Sequence, residues 1–165
     1  MKHFFLFLAF LVIALTSTTL YATTPHYVGE VFGGGVVVWV DCSLNADHGL
    51  IAALTDQSPV GGTKWEDAKT LCLNYSGGGF ADWRLPSKDE LFRVACKAHH
   101  VAGGVVNGLH ESSDSNNLLN YYWSSTEFSA THAYVHFMWN AANSGGNAGY
   151  NLKTILLSVR AVRSF

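Results

Sequence analysis

The sequence predicts an α+β domain in which two helices pack beside antiparallel β-sheets. Two segments carry helix-capping signals, Thr63 with Glu66 and Ser87 with Glu90, and an apolar stripe follows each signal. Short runs of valine, isoleucine and aromatic residues elsewhere indicate strands. With 13% charged residues, 13% aromatic residues and 16 glycines, the composition is typical of an exported domain rich in sheets and loops.

The N-terminus has the pattern of a secretory signal. A short basic start precedes an uninterrupted apolar run at residues 4–15, which is shorter than a membrane span of about 20 apolar residues. An uncleaved anchor is the alternative, because Leu20 is not the small residue preferred near a cleavage site. We therefore expect a signal peptide at residues 1–22, a short tether at 23–27 and one domain at 28–165.

Charge and cysteine content limit the function classes. A net charge of −2 argues against general nucleic-acid binding, which usually requires a basic surface. Export would permit one disulfide among Cys42, Cys72 and Cys96 and leave one thiol, while three free thiols are the alternative. The sequence does not identify the pair.

The first half of the domain is predicted to contain strands followed by a helix. Residues 28–32 indicate a strand, and residues 36–54 indicate a hairpin of two apolar strands. Thr63 is the predicted N-cap of the first helix. The apolar stripe of this helix comprises Ala68, Leu71, Cys72 and Tyr75.

The segment 82–91 is predicted to organise the second half. Pro86 fixes the backbone before the second helix, and Ser87 and Glu90 can form a capping box. Trp83 should be buried. The residues of this helix that are expected to point inward are Leu91, Phe92, Ala95 and Cys96.

The C-terminal half is predicted to contain long surface loops and further strands. Residues 105–120 are expected to form one loop, and residues 139–150, rich in asparagine and glycine, another. Predicted strands cover residues 121–125, 133–139 and 155–163. In the last strand the inward side chains are Leu157, Val159 and Ala161, and the outward ones are Ser158 and Arg160.

Three motifs give the chain a family resemblance: Trp65-Glu66-Asp67-Ala68, Asp82-Trp83-Arg84-Leu85-Pro86-Ser87 and Trp123-Ser124-Ser125-Thr126-Glu127. Over about residues 28–165 the chain resembles the Lcl C-terminal domain family, also called DUF1566. The resemblance implies a C-type-lectin-like fold with close termini, an exported bacterial protein, and adhesion to sulfated glycosaminoglycans. The chain lacks the collagen-like Gly-X-Y stalk and the calcium signatures of lectins.

Two groups of residues are candidates for ligand binding. Asparagine amides can hydrogen-bond to sugar hydroxyls and an aromatic ring can stack on a sugar, which selects Asn140, Asn143, Asn147, Tyr150 and Asn151. Clustered cations suit sulfate groups, which selects Lys64, Lys69, Lys88, Arg93, Lys97 and Lys153. The helical cations would form one patch if the two helices pack side by side. The alternatives are a solvated turn-forming loop and ordinary solvated helix faces.

Other conspicuous residues are interpreted as structural. These are Trp65, Trp83, Arg84, Pro86 and Trp123, and Arg84 and Arg160 are expected to pair with acids such as Asp82 or Glu90. His132 and His136 have the spacing of a zinc-protease pair but lack its glutamate and lie on a predicted strand. Cys96, His99, His100 and His110 could also supply metal ligands, but their spacing matches no metal-binding motif. We therefore expect no metal and no other cofactor.

The sequence therefore predicts a non-catalytic binding domain, secreted or at the cell surface, with the periplasm as a further location. No segment marks a nucleophile elbow, so we do not expect an enzyme. The expected partner is a sulfated polysaccharide outside the cell. The alternative is a protein partner in a cell-envelope assembly, and self-association is also open. We expect neither nucleic-acid binding nor a membrane span after signal cleavage.

Overall fold

A computed structural model describes residues 25–41, 48–100, 120–138 and 147–165. The predicted signal, residues 23–24 of the tether and most of both long loops lie outside these ranges. Within them the chain forms two α-helices and two antiparallel sheets, which confirms the predicted α+β class. The elements are β1 Val31–Phe32, β2 Gly35–Val40, β3 Gly49–Ala53, α1 Trp65–Leu73, α2 Lys88–His100, β4 Tyr121–Glu127, β5 His132–Phe137, β6 Asn147–Leu152 and β7 Val162–Ser164.

The first sheet has the strand order β1-β2-β3-β7. Its centre is the predicted hairpin, in which Gly35 lies opposite Ala53 and Val40 lies opposite Gly49. Every residue of β3 is buried, as expected for an apolar strand with neighbours on both sides. The first predicted strand is shorter than residues 28–32. Only Val31–Phe32 forms a strand, although the backbones of Gly29 and Glu30 also hydrogen-bond to Val37 of β2.

The second sheet has the order β4-β5-β6. Trp123 of β4 lies opposite Val135, and Tyr134 of β5 lies opposite Tyr150 of β6. The prediction of a loop through residue 150 was wrong at its C-terminal end. Residues from Asn147 onward form a strand, because their backbone pairs with β5 along its whole length.

The C-terminal segment differs from the prediction of a strand at residues 155–163. Only Val162–Ser164 belongs to a strand, and the preceding residues hydrogen-bond to both sheets. The amide of Trp123 donates to Ser158 O, and the amide of Ala53 donates to Ala161 O. Elements on both sides therefore cover the segment. The predicted outward direction of Ser158 and Arg160 was wrong, since they are 1% and 0% exposed.

Arg160 is buried and hydrogen-bonded to a carboxylate and to a backbone carbonyl. Its Nε donates to Asp56 Oδ1 at 2.7 Å, and its Nη1 donates to the carbonyl of Ala53 at 2.9 Å. Asp56 also accepts a hydrogen bond from the Tyr122 hydroxyl. These bonds offset the cost of removing the guanidinium from water. The acid is Asp56 rather than Asp82 or Glu90.

The two capping predictions had opposite outcomes. At α2, the amide of Ser87 donates to Glu90 Oε2 at 2.8 Å and the amide of Glu90 donates to Ser87 Oγ at 3.3 Å, which confirms the capping box. At α1 the prediction was wrong. The N-cap is Lys64, without a side-chain cap, because the backbone of Thr63 forms a bridge with Leu157.

Among the described residues, the core contains three buried tryptophans whose indole N–H groups donate to backbone carbonyls. The pairs are Trp65 with Ser124 O, Trp83 with Gly77 O and Trp123 with Thr63 O. Such bonds allow an indole to be buried without an unsatisfied donor. On α2, Leu91 and Ala95 are buried as predicted, but Phe92 is 51% exposed and Val94 is buried instead.

The first described residues meet the C-terminus. The His26 and Phe165 rings contact at 4.9 Å between centroids. Cys72 is a buried thiol that is not in a disulfide, Cys96 is half-buried on α2, and Cys42 lies outside the described residues. In the part of the chain that the structure describes, no helix is both long and apolar enough to cross a membrane.

Candidate functional site

Cationic residues from separate elements come together around residues 125–127 at the end of β4. Lys69 comes from α1, Lys153 follows β6, and Arg84 and Lys88 lie before and at the start of α2. We call these four cations and residues 125–127 the basic surface. The amide of Lys88 donates to Thr126 Oγ1 at 3.0 Å, and the Lys153 ammonium pairs with Glu127.

An open groove forms part of the basic surface. Its volume is about 300 Å³, and its lining residues are Lys69, Leu73, Arg84, Leu85 and Ser125. The amide of Ser125 donates to the carbonyl of Pro86 at 2.7 Å, so β4 is tied to the segment before α2. This bond fixes the side of the groove that carries Arg84 relative to the side that carries Ser125.

Trp65 positions two of the lysines. The Lys69 and Lys153 ammonium groups lie 3.3 Å and 4.3 Å from the centroid of its ring. The amide of Trp65 also donates to the carbonyl of Lys153 at 3.2 Å. Because the indole is buried and hydrogen-bonded to Ser124, both cations are held against a fixed ring.

Exposed carboxylates partly balance these lysines. Lys69 Nζ donates to Glu66 at 3.2 Å, and Lys153 pairs with Glu127. The hydrogen bond from Lys153 lowers the pKa of Glu127, and the charges of Lys153 and, more weakly, Lys69 lower it further. Both glutamates are largely exposed, and the pair of Lys69 with Glu66 exchanges readily with solvent and ions. The Lys153 side chain is only 14% exposed and also donates to the carbonyl of Ala130, so it is held more tightly than Lys69.

Arg84 is held more firmly than the lysines. Its Nη1 and Nη2 donate to the two Glu90 carboxylate oxygens at 2.7 Å and 2.6 Å. Burial raises the pKa of Glu90, but the Arg84 and Ser87 hydrogen bonds and the Arg84 charge outweigh it and hold the pKa at about 2. The bidentate pair leaves the Arg84 side chain 40% exposed, so it still faces the groove.

A cluster of aromatic rings adjoins the basic surface. It comprises Phe128, His132, Tyr134 and Tyr150, and we call it the aromatic face. The Phe128 and Tyr150 rings stack in parallel at 4.0 Å. Tyr134 meets Phe128 edge-on at 5.4 Å, and Lys88 Nζ lies 5.1 Å from the Tyr134 ring.

Sequence reasoning selected only Tyr150 from the aromatic face. His132 and Tyr134 share a face because they are two residues apart on a strand, which the alternation could have indicated. The stacking of Phe128 on Tyr150 depends on the register of β6 against β5, and no local signal carries it.

The structure divides the predicted cationic set. Lys69, Lys88 and Lys153 belong to the basic surface, and Lys64 is exposed beside Trp65. Arg93 lies elsewhere, with its guanidinium 4.1 Å from the Trp39 ring, at a cavity of about 170 Å³. Arg93 therefore does not share a patch with Lys69 and Lys88, so the condition for one patch on two adjacent helices is not met among the described residues. The side chain of Lys97 lies outside the described part.

The candidate ligand-binding residues of the predicted loop at 139–150, and Asn151 after it, are only partly described by the structure. Asn140 and Asn143 lie outside the described residues. Asn147 and Asn151 lie on β6 rather than in a loop, and Asn151 is half-buried. Tyr150 lies between them in sequence and is 53% exposed.

The described residues give little support to a metal site or to a reactive thiol. Among them, no group of three or more His, Cys, Asp or Glu side chains is arranged to hold a metal ion. His132 belongs to the aromatic face, whereas His136 is buried and its ring contacts Phe92 at 5.8 Å. Burial raises the pKa of the Cys72 thiol to about 12, which suppresses the reactive thiolate.

Comparison with known proteins yields one family. The model of the Lcl C-terminal domain matches residues 35–163. No curated protein matches the chain. The matched range contains the basic surface and the aromatic face, as well as both helices.

Proposed function

The chain belongs to the Lcl C-terminal domain family, which is associated with extracellular adhesins, and on this premise we propose that it is an exported domain that binds a sulfated polysaccharide without turnover. The observation that supports this proposal is the convergence of the Lys69, Arg84 and Lys153 side chains on residues 125–127, beside Lys88, whose backbone amide bonds to Thr126.

The cations of the basic surface suit sulfate groups. An ammonium group offers a mobile point charge and a guanidinium offers planar donors, and both bind anionic oxygens. Exposed ion pairs such as Lys69 with Glu66 contribute only about 0–1 kcal/mol, so a polyanion can displace the glutamate at little cost. Because the whole chain carries a charge of −2, the attraction is local to this surface.

The surface is also partly preorganised. The buried Trp65 ring holds Lys69 and Lys153, and the Glu90 carboxylate holds Arg84. Side chains that are already ordered lose less conformational entropy when a ligand binds. The arrangement favours a ligand with anionic groups spaced along a chain, as in a sulfated polysaccharide.

Binding of size-fractionated heparin at increasing sodium chloride concentrations tests the proposal. Affinity should fall with salt, because each cation–sulfate contact releases condensed counterions. Lys69→Gln and Lys153→Gln should each reduce the slope of log affinity against log salt by roughly one. Arg93→Gln is the matched control, since it removes one cation outside the basic surface and should leave the slope unchanged.

Two results would contradict the proposal. One is no retention of the wild-type protein on heparin at low salt. The other is an equal loss of slope in Arg93→Gln and the two lysine variants, because it would indicate attraction without a site. A stable protein partner combined with no heparin affinity would instead support the cell-envelope assembly hypothesis. Gel filtration of the recovered heparin should show unchanged chain length, as expected for binding without turnover.

A further inference from the structure

We propose that the aromatic face is a second carbohydrate subsite, in which Tyr150 stacks on the pyranose ring of a uronate-containing unit and Lys88 binds an acidic group of that unit or the next. This proposal deepens the proposed function and rests on it for the identity of the polymer. It assigns recognition of the sugar ring to residues that are separate from the sulfate-binding cations.

The geometry of the rings supports stacking. Phe128 and Tyr150 are parallel within 2° at 4.0 Å, so each covers one face of the other. Phe128 also contacts Tyr134 and His132, whereas Tyr150 has only His132 as a second ring neighbour among the described residues. Phe128 therefore covers one face of Tyr150 and has the larger set of ring contacts. Tyr150 is the ring that is available to a sugar.

The aromatic face is exposed and apolar. Phe128 and Tyr150 are 46% and 53% exposed, and Leu152, which lies opposite His132 on β6, is 47% exposed. Apolar side chains in such a cluster indicate a ligand that covers them. A pyranose ring fits this requirement, because its C–H groups are apolar and its hydroxyls stay in water.

Charge favours an acidic sugar over an apolar protein partner. Lys88 Nζ lies 5.1 Å from the Tyr134 ring, and Tyr134 pairs across the strands with Tyr150. A cation at the edge of an apolar face would be costly to bury against another apolar surface. A carboxylate or sulfate beside the stacked ring would instead pair with it.

The turn before β5 holds Phe128 in place. The amide of Phe128 donates to the carbonyl of His132 at 3.0 Å. The His132 ring nitrogen Nδ1 is within hydrogen-bond distance of Thr131 Oγ1, at 2.9 Å. The ring that supports Tyr150 is therefore fixed before a ligand arrives, which reduces the entropic cost of stacking.

The aromatic face and the basic surface are continuous. Phe128 follows Glu127 directly, and Lys88 contacts both Thr126 and the Tyr134 ring. One polysaccharide chain can therefore occupy the two together. Stacking is insensitive to salt, whereas the cation contacts are salt-dependent, so a salt titration separates their contributions.

Heparin hexasaccharide binding at several salt concentrations tests this subsite with Tyr150→Ala, Tyr150→Phe and Tyr27→Ala. Tyr150→Ala should weaken binding roughly 3- to 10-fold at every salt concentration and leave the slope unchanged, because one aromatic contact is lost. Tyr150→Phe should bind like the wild type. Tyr27→Ala is the matched control, since Tyr27 is 66% exposed outside the aromatic face, and it should bind normally.

Proton NMR of the hexasaccharide gives a second readout that needs no variant. Stacking should shift sugar C–H resonances upfield on addition of wild-type protein, because these protons lie over an aromatic ring. The subsite is overturned if no such shift occurs, or if Tyr150→Ala binds like Tyr27→Ala. If the lysine variants still reduce the salt slope in that case, the proposed function survives without the subsite. If the wild type does not bind heparin at all, both fail.

Discussion

Glu90 connects the α2 cap to the basic surface. One of its oxygens accepts the Ser87 amide and both accept the Arg84 guanidinium. The resulting pKa of about 2 lies below the ordinary value of 4.5. The stabilisation is therefore complete above about pH 4.5 and is lost as pH falls towards 2.

Glu90→Gln should lower the free energy of unfolding at pH 7 by about 1–2 kcal/mol. Glutamine can still accept the Ser87 amide, so the loss is the charge of the Arg84 pair. Urea denaturation at pH 7 and pH 3 measures it. The difference between variant and wild type should shrink at pH 3, and a difference that is equal at both pH values would contradict this assignment. Glu66→Gln, at an exposed ion pair, should change stability by less than about 1 kcal/mol.

Cys72 should be unreactive in the folded protein. Burial raises its pKa to about 12, so almost no thiolate exists at pH 8. Iodoacetamide should modify the Cys72 peptide in denaturant but not in buffer, as measured by mass spectrometry. Rapid modification in buffer would show that the Cys72 thiol is not buried in the folded protein.

At the scale of single residues, prediction succeeded where partners are close in sequence. Ser87 and Glu90 are three residues apart, so their capping box was visible. The partner of Arg160 is Asp56, which is 104 residues away, and the alternation of the last segment indicated an exposed arginine. The prediction that Phe92 points inward was wrong for a related reason. Its position satisfies a helical stripe, but Val94 fills the space beneath α2.

At the scale of elements, the β1–β2 turn packs on the glycine loop before Trp83. A Cβ at Gly34, where φ is +83°, would lie 2.5 Å from the carbonyl oxygen of Gly77. Gly61 has a similar φ of +97° but nothing within 4 Å of the corresponding position. Alanine at Gly61 would therefore test the backbone strain alone, whereas alanine at Gly34 would add steric overlap to the same strain.

Gly34→Ala should destabilise the protein more than Gly61→Ala. Gly61→Ala should cost about 1 kcal/mol for the left-handed backbone alone. Gly34→Ala should cost at least about 2 kcal/mol, since the backbone of the glycine loop must also move. Urea denaturation of the two variants measures the difference. Equal losses of unfolding free energy in the two variants would show that the β1–β2 turn and the glycine loop are not in contact.

The helices show how tertiary contacts override a local signal. Thr63 and Glu66 have the spacing of a capping box, yet the backbone of Thr63 pairs with Leu157. Its carbonyl also accepts the Trp123 indole N–H. These distant partners fix Thr63 outside the helix, so α1 begins at Trp65 with Lys64 as its N-cap. No property of residues 63–66 indicates this.

At the scale of the whole molecule, the C-terminal segment connects the two sheets. β7 pairs with β3, and residues before it bond to β4. The fold class and the family resemblance were predictable because capping signals, apolar alternation and motifs are local. The basic surface was only partly predictable. Its four cations come from α1, the segment before α2, the start of α2 and the residue after β6, and tertiary structure decides which of them meet.

Amide chemical-shift mapping with a heparin hexasaccharide tests the central claim, binding at the basic surface, most directly. The largest shifts should occur at Lys69, at the amides of residues 84, 85, 87 and 88, at 125–127 and at Lys153. The amides of Trp39 and Arg93 should move little, because their cavity lies outside this surface. Shifts centred on Trp39 and Arg93, or no shifts at low salt, would contradict the account.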